Sequence, residues 1–203
     1  DYSEDGNVWE SVIHDHARSK SYRWGEDGIG GFSNEDQRIC FGWAFWNGKD
    51  PILKERLFGL TSYEGNHGED VKEYYYYLES TPTHSYMRML YKYPLAEYPY
   101  KKLVEKNKVL NKSDQEYELM DTGIFDKDHY VDIFLDYAKN STEDFLFTAT
   151  LHNRSNKEAE LTVLPTLWFR NTWSSGRDRN LPEASLDDEQ RVKIKHHLLG
   201  EHY

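Results

Sequence analysis

A single cysteine, Cys40, stands in 203 residues. No internal disulfide can brace the fold, and a reducing compartment, the cytoplasm, is the expectation. No apolar run approaches the roughly 20 residues that a membrane-crossing helix needs, and no signal-peptide pattern opens the chain. Positive charge is scarce: 25 Lys and Arg against 36 Asp and Glu give a formal net charge of −11. That balance argues against nucleic acid and membrane as partners, since phosphate backbones and anionic lipids demand a basic surface. Internal repeats and low-complexity linkers are missing. So is the Gly-x-Ser-x-Gly elbow of a hydrolase triad. Gly25, Gly28, Gly30 and Gly31 lack the Lys-Ser/Thr of a phosphate-binding loop and read as turn glycines.

Aromatic side chains are what the chain has in quantity: 16 Tyr, 9 Phe and 6 Trp make up 15% of it. Tyr and Trp combine an apolar face with a polar edge, which suits both a β core and the C–H faces of sugars. Core packing is the expectation for most of them. Trp24, Trp43, Trp46, Trp168 and Trp173 are the candidates for a stacking platform.

Strand patterns dominate. In "DFLFTATLHNRSNKEAELTVLPTLWFRN", Phe145, Phe147, Ala149 and Leu151 alternate with Leu146, Thr148 and Thr150; a turn at Asn153 to Lys157 follows, then Leu161, Val163 and Leu167. The stretch reads as an antiparallel hairpin. "QEYELMDTGIF" and "HYVDIFLDYAK" read as a second hairpin joined by Asp126-Lys127-Asp128. "QRICFGWAFWNG", "ERLFGLTS", "VKEYYYYLES" and "SYMRMLYKYP" read as further strands, and "RVKIKHHLLGEHY" as one more at the end of the chain. "WSSGRDRNLPEASLDDEQ" reads as a long exposed loop. Only "YKKLVEKNKVLNKS" has a helical pattern, with Leu103, Val104 and Leu110 on one side. The class this implies is mainly β: an antiparallel β-sandwich with one short helix.

The chemistry-bearing clusters read as follows. His14-Asp15-His16 and His196-His197 lack further ligands at a diagnostic spacing, so no metal site is expected. Cys40 lies in an apolar strand pattern and reads as a buried, inert thiol. Three sequons, at Asn111, Asn140 and Asn153, matter only in a secretory pathway. Glu26-Asp27 and Glu69-Asp70 sit in glycine-bounded loops. Glycoside hydrolysis needs carboxylates about 5–10 Å apart across the scissile bond. Sequence neighbours do not face each other that way, so a working pair would come from two loops; turn capping and pairing to Arg or Lys is the other reading.

The stretches "DYSEDGNVWESVIHDHARSKSYRWGEDGIGG", "WNGKDPILKERLFGLTSYEGNHGEDVKEYYYYLESTPTHSYMRMLYKYP" and "LPTLWFRNTWS" resemble the glycoside hydrolase family 63 and mannosylglycerate-hydrolase-like group of microbial enzymes, often called glucosidases. The resemblance runs from Asp1 to about Trp173 and more loosely to Tyr203. It implies an N-terminal sandwich of the super-sandwich type, followed by an (α/α)6 barrel that holds the acid and base of an inverting hydrolysis of α-linked glucosyl or related sugars. Residues 1–203 are then a single, incomplete N-terminal sandwich domain, with the barrel expected after residue 203. No residue here matches the barrel's catalytic positions, so no catalytic residue and no cofactor are expected, and the fragment is expected to be inactive alone. A sandwich cut before its last strands is also expected to leave open edges, and so to be marginally stable or to self-associate.

The function so implied is support of the barrel and walling of a sugar subsite. The alternatives are an independent carbohydrate-binding module and a purely structural interaction domain. The candidates for contact with substrate or with the neighbouring domain are Arg23, Trp24, Glu26, Asp27, Asn66, His67, Glu69, Asp70 and Tyr75. The four tyrosines Tyr74 to Tyr77 should place two rings on each face of a strand. The expected partners are the catalytic domain of the same chain and a carbohydrate.

Overall fold

The computed structural model describes residues 28–51, 53–68, 70–174, 176 and 178–203. Its strands, in chain order, are β1 (Ile29–Ser33), β2 (Ile39–Trp46), β3 (Gly59–Leu60), β4 (Asp70–Val71), β5 (Tyr75–Ser80), β6 (Tyr86–Pro94), β7 (Tyr130–Lys139), β8 (Phe145–Asn153), β9 (Thr162–Phe169), β10 (Glu183–Leu186), β11 (Val192–His196) and β12 (Gly200–His202); the helix α1 (Tyr100–Asn107) lies between β6 and β7. A three-stranded sheet β1-β2-β9 faces a four-stranded sheet β5-β6-β7-β8, and every strand pairing is antiparallel. No helix among the described residues is long and apolar enough to cross a membrane.

Period-2 alternation fills the space between the sheets. Phe41, Trp43 and Phe45 of β2 meet Tyr91 and Tyr93 of β6 and Ile133 and Leu135 of β7, all buried, with Phe147, Ala149, Val163 and Leu167 packed against them. Rings cross the interface in contact: Phe41 stacks on Phe147 at 3.8 Å and Phe32 on Tyr137 at 4.0 Å between centroids. Burying each such side chain stabilises the fold by about 1.5–3 kcal/mol. Cys40 is buried in β2 as expected, and burial pushes its thiol up to about 11. The described residues therefore form a mainly β, antiparallel sandwich with one α-helix. A second, smaller core of Phe58, Leu60, Tyr98, Leu103 and Leu119 lies under α1.

Several local readings are corrected by the tertiary arrangement. The stretch 145–169 is not a hairpin: β8 pairs with β7 and β9 with β2, so the chain crosses between the sheets. The turn that redirects it is held by Arg154, whose amide reaches the Tyr130 carbonyl at 3.0 Å and whose guanidinium reaches Asp132 at 2.7 Å. With its apolar side chains at alternate positions, β9 fills the same core from the other side. The stretch 115–125 forms no strand; it carries a 3₁₀ turn at Met120–Thr122, and a second at Asp126–Asp128 leads into β7. Tyr117 instead bonds to Asn107, amide to Oδ1 at 2.8 Å and carbonyl from Nδ2 at 2.9 Å, so a buried asparagine substitutes for a strand partner. The strand expected in "ERLFGLTS" is only Gly59–Leu60. Helix α1 ends before Leu110. The loop expected at 173–190 contains β10, and "RVKIKHHLLGEHY" folds as two strands, β11 and β12.

Two glycines are required by close approach. Gly30 has φ +59, and a Cβ there would stand 2.8 Å from Trp43 and 2.9 Å from Leu135. At Gly59 a Cβ would lie 1.9 Å from the Asp70 carbonyl oxygen, inside the β3–β4 pairing. Gly59→Ala is expected to part these strands and to lower stability by about 1–3 kcal/mol, read as a reduced urea midpoint; an unchanged midpoint would show that the pairing yields freely.

Candidate functional site

The second core anchors a polar end of the sandwich, built from the loop at 61–68, β4, the residues entering β5, and the segment 111–121. Asn66 is buried and ties two of these pieces together: its Nδ2 donates to the carbonyls of Asn111 at 3.0 Å and Asp114 at 3.3 Å. His67 Nε2 also meets the Asp114 carbonyl, at 3.0 Å. Glu64 accepts the Thr61 amide at 2.9 Å and the Tyr100 hydroxyl, fixing the loop to α1.

Beside this loop is an acidic cage. The ammonium of Lys72, whose side chain is wholly buried, lies 2.7 Å from Asp70, 2.7 Å from Glu116 and 3.2 Å from Glu118. These three carboxylates have oxygens within 4.8 Å of one another, a spacing that fits a hard divalent cation. Lys72 already supplies the positive charge at their centre. Burial alone would lower its pKa, but the hydrogen bonds and charges of Asp70, Glu116 and Glu118 raise it above the ordinary lysine value.

Deeper still, Lys54 and Glu73 form an ion pair at 3.0 Å with both side chains 1% exposed. Glu73 accepts the Phe58 amide at 2.7 Å through one oxygen and the Tyr91 hydroxyl at 2.7 Å through the other. The Lys54 ammonium also sits 3.7 Å over the Phe58 ring and 4.4 Å over the Tyr98 ring. Nearby, Asp50 accepts the Tyr93 hydroxyl at 2.6 Å and the Tyr98 amide at 2.7 Å. Burial first, and then the neighbouring carboxylates, raise the phenols of Tyr91, Tyr93 and Tyr98 well above the ordinary tyrosine value. The Tyr91 and Tyr93 hydroxyls donate to Glu73 and Asp50, and those charges are tied into the fold.

The four tyrosines split by environment. Tyr75 points inward: its hydroxyl accepts the Gly30 amide at 2.8 Å and donates to the Met89 sulfur at 2.9 Å. Burial raises its phenol above the ordinary value. Tyr74 packs edge-on against Phe125 and lies parallel to Tyr76 at 6.4 Å. Tyr76 is 42% exposed and Tyr77 82% exposed, on β5, an edge strand of the four-stranded sheet among the described residues. Two rings on each face was the expectation; in the structure Tyr74 stands before the strand, and Tyr77, though on the same side of β5 as Tyr75, faces solvent.

Of the expected site residues, Asn66, His67 and Asp70 lie in the polar links of this end, whereas Tyr75 packs against the main core of the sandwich. Arg23, Trp24, Glu26, Asp27 and Glu69 lie outside the described residues. Of the tryptophans named for a stacking platform, Trp24 lies outside the described residues, Trp43 is buried, and Trp46 is 42% exposed with its ring nitrogen donating to the Asp50 carbonyl at 2.9 Å. Trp168 packs over the Gly42 backbone. Lys54, Lys72 and Glu73 went unnoticed in the sequence. Their signal was present as charges inside otherwise apolar strand patterns, "ILKERLFGL" and "EDVKEYYYY".

No protein-family model matches the chain, and no solved structure matches it. Among curated proteins, the chain is 44% identical over 214 residues to the uncharacterized protein YMR196W of Saccharomyces cerevisiae, an alignment that covers 98% of this chain and 20% of that protein. The chain spans about a fifth of the length of the curated relative it matches.

Proposed function

We propose that this chain is the non-catalytic sandwich domain of a larger cytoplasmic glycoside hydrolase of the family 63 type, acting on α-linked glucosyl or related sugars. Its partners in this reading are a catalytic domain of the same polypeptide and the carbohydrate that domain acts on. The observation that carries the reading is the division of labour at the polar end. Lys54, Glu73, Lys72 and Asp50 are engaged in internal pairs that make the end rigid. The carboxylates of Asp70 and Glu118 are partly exposed there, and the strand that leaves this end, β5, exposes the rings of Tyr76 and Tyr77. Exposed rings and fixed acceptors are what a sugar subsite or a polar domain contact needs.

The test is made in the full-length polypeptide. Tyr77→Ala removes a largely exposed ring that meets the fold edge-on at Tyr75, whereas Tyr75→Ala would remove part of the core. Tyr77→Ala is expected to lower kcat/KM on an aryl α-glucoside about tenfold, ~1.4 kcal/mol of transition-state stabilisation, while Tm stays at the parent value. Parent kinetics in a stable Tyr77→Ala enzyme would remove the subsite, and absence of any glycosidase activity in the full-length protein would remove the enzyme class.

A further inference from the structure

Asn47 and Gly48 form the one Asn-Gly pair in the 203 residues. They open the turn that follows β2, which a pairing of Phe45 with Lys54 closes through two backbone hydrogen bonds of 2.8 Å. Asn47 is 7% exposed, and every hydrogen-bonding position of its carboxamide is used. Nδ2 donates to the carbonyl of Pro94 at 3.0 Å and to that of Ala96 at 2.9 Å. Oδ1 accepts the amides of Lys49 and Asp50, each at 2.9 Å. One side chain thus shapes its own turn and docks it on the chain leaving β6. Two neighbours reinforce the contact. The Lys49 ammonium reaches the Leu95 carbonyl at 2.5 Å, and the Trp46 ring nitrogen closes on the Asp50 carbonyl.

An asparagine followed by glycine carries a reaction within itself, because no side chain shields the next amide nitrogen. The Gly48 nitrogen, on giving its proton to solvent, attacks Asn47 Cγ. The Cγ–Nδ2 bond then breaks, and the departing nitrogen takes up a proton and leaves as ammonia. The cyclic imide that remains is opened by water at either of its carbonyls, which yields aspartate or isoaspartate. The reaction consumes one water, releases one ammonia and needs no oxidant or second protein.

We propose that Asn47 is a self-modifying site that the fold holds silent, and that only opening of the turn frees it to cyclise. Attack requires the carboxamide to rotate onto the Gly48 nitrogen and Nδ2 to lose its planarity. Both movements break the bonds to Pro94 and Ala96, so the closed turn opposes them. The conversion also runs one way. Aspartate at this position has no N–H for those two carbonyls and sets a carboxylate oxygen against them, in a buried turn that already holds the Asp50 carboxylate. Isoaspartate lengthens the backbone as well. A turn that has opened long enough to react closes less well afterwards, so the site records past opening of the domain.

Peptide mapping of the whole chain tests this, after incubation at mildly alkaline pH in native buffer and in concentrated urea. In urea, Asn47 is expected to convert faster than any other asparagine, read as the mass gained when NH2 is exchanged for OH. In native buffer its conversion is expected to be about a hundredfold slower or more, because only the small population with an open turn reacts. The variant Asn47→Asp, which carries the product's charge, is expected to unfold at a lower urea midpoint than the parent. Equal rates in the two media would overturn the proposal, as would a parent midpoint for Asn47→Asp. Failure of that variant to fold counts with a lowered midpoint, and the comparison of rates, made on the parent alone, still decides whether the fold silences the site.

Discussion

Glu73→Leu is expected to destabilise the fold by about 3–5 kcal/mol, the cost of stranding one member of a buried ion pair. Three groups lose their partner at once: the Lys54 ammonium, the Phe58 amide and the Tyr91 hydroxyl. None can turn to water, because Lys54 and Tyr91 are fully buried and Phe58 nearly so. The ring faces of Phe58 and Tyr98 hold the ammonium but do not neutralise it. Adding Lys54→Met removes the stranded charge as well, and the double variant is expected to recover more than half of the loss, since a well-packed apolar pair replaces a buried ionic one at little cost. Urea unfolding of the two variants and the parent reads the difference. A loss below 1 kcal/mol for Glu73→Leu would mean that water reaches the pair.

Lys72→Met acts on the opposite balance, leaving three carboxylates facing one another without their cation. A loss of about 2–4 kcal/mol at neutral pH is expected, smaller than a fully buried trio would give because Asp70 and Glu118 have side chains 39% and 40% exposed. Millimolar Ca²⁺ or Mn²⁺ is expected to raise the Tm of the variant and not of the parent, because the oxygens within 4.8 Å then lack a counter-ion. In the parent the sign runs the other way: a raised lysine pKa contributes stability that is complete below the unfolded value near 10.5 and is lost as pH climbs through the folded one. Equal Tm for the variant with and without metal would show that the cage relaxes into solvent.

The legible parts of the fold were the ones encoded at short range. Alternation in "QRICFGWAFWNG", "SYMRMLYKYP" and "HYVDIFLDYAK" is enough to identify β2, β6 and β7, since neighbouring side chains on a strand must point to opposite faces. The apolar stripe of α1 and the burial of Cys40 follow from equally local patterns. The end of the sandwich where Asn66, His67 and Asp70 meet was also visible, because glycines and polar residues clustered there mark a turn between strands. "QEYELMDTGIF" misled because its β-rich composition matches a strand, while a single long-range partner, Asn107, took its backbone groups instead.

Pairing was decided only in three dimensions. A ladder of backbone hydrogen bonds carries no residue identity, so β8 and β9 were equally able to pair with each other or to divide between two sheets. What separated them is the grip of Arg154 on Asp132 and Tyr130, together with a core that needed apolar faces from both sides. The acidic cage is the same kind of case. Lys72 meets Asp70 two residues away but Glu116 and Glu118 more than forty residues on. Ionic attraction acts through space, and sequence distance is silent about which charges the folded chain will bring together.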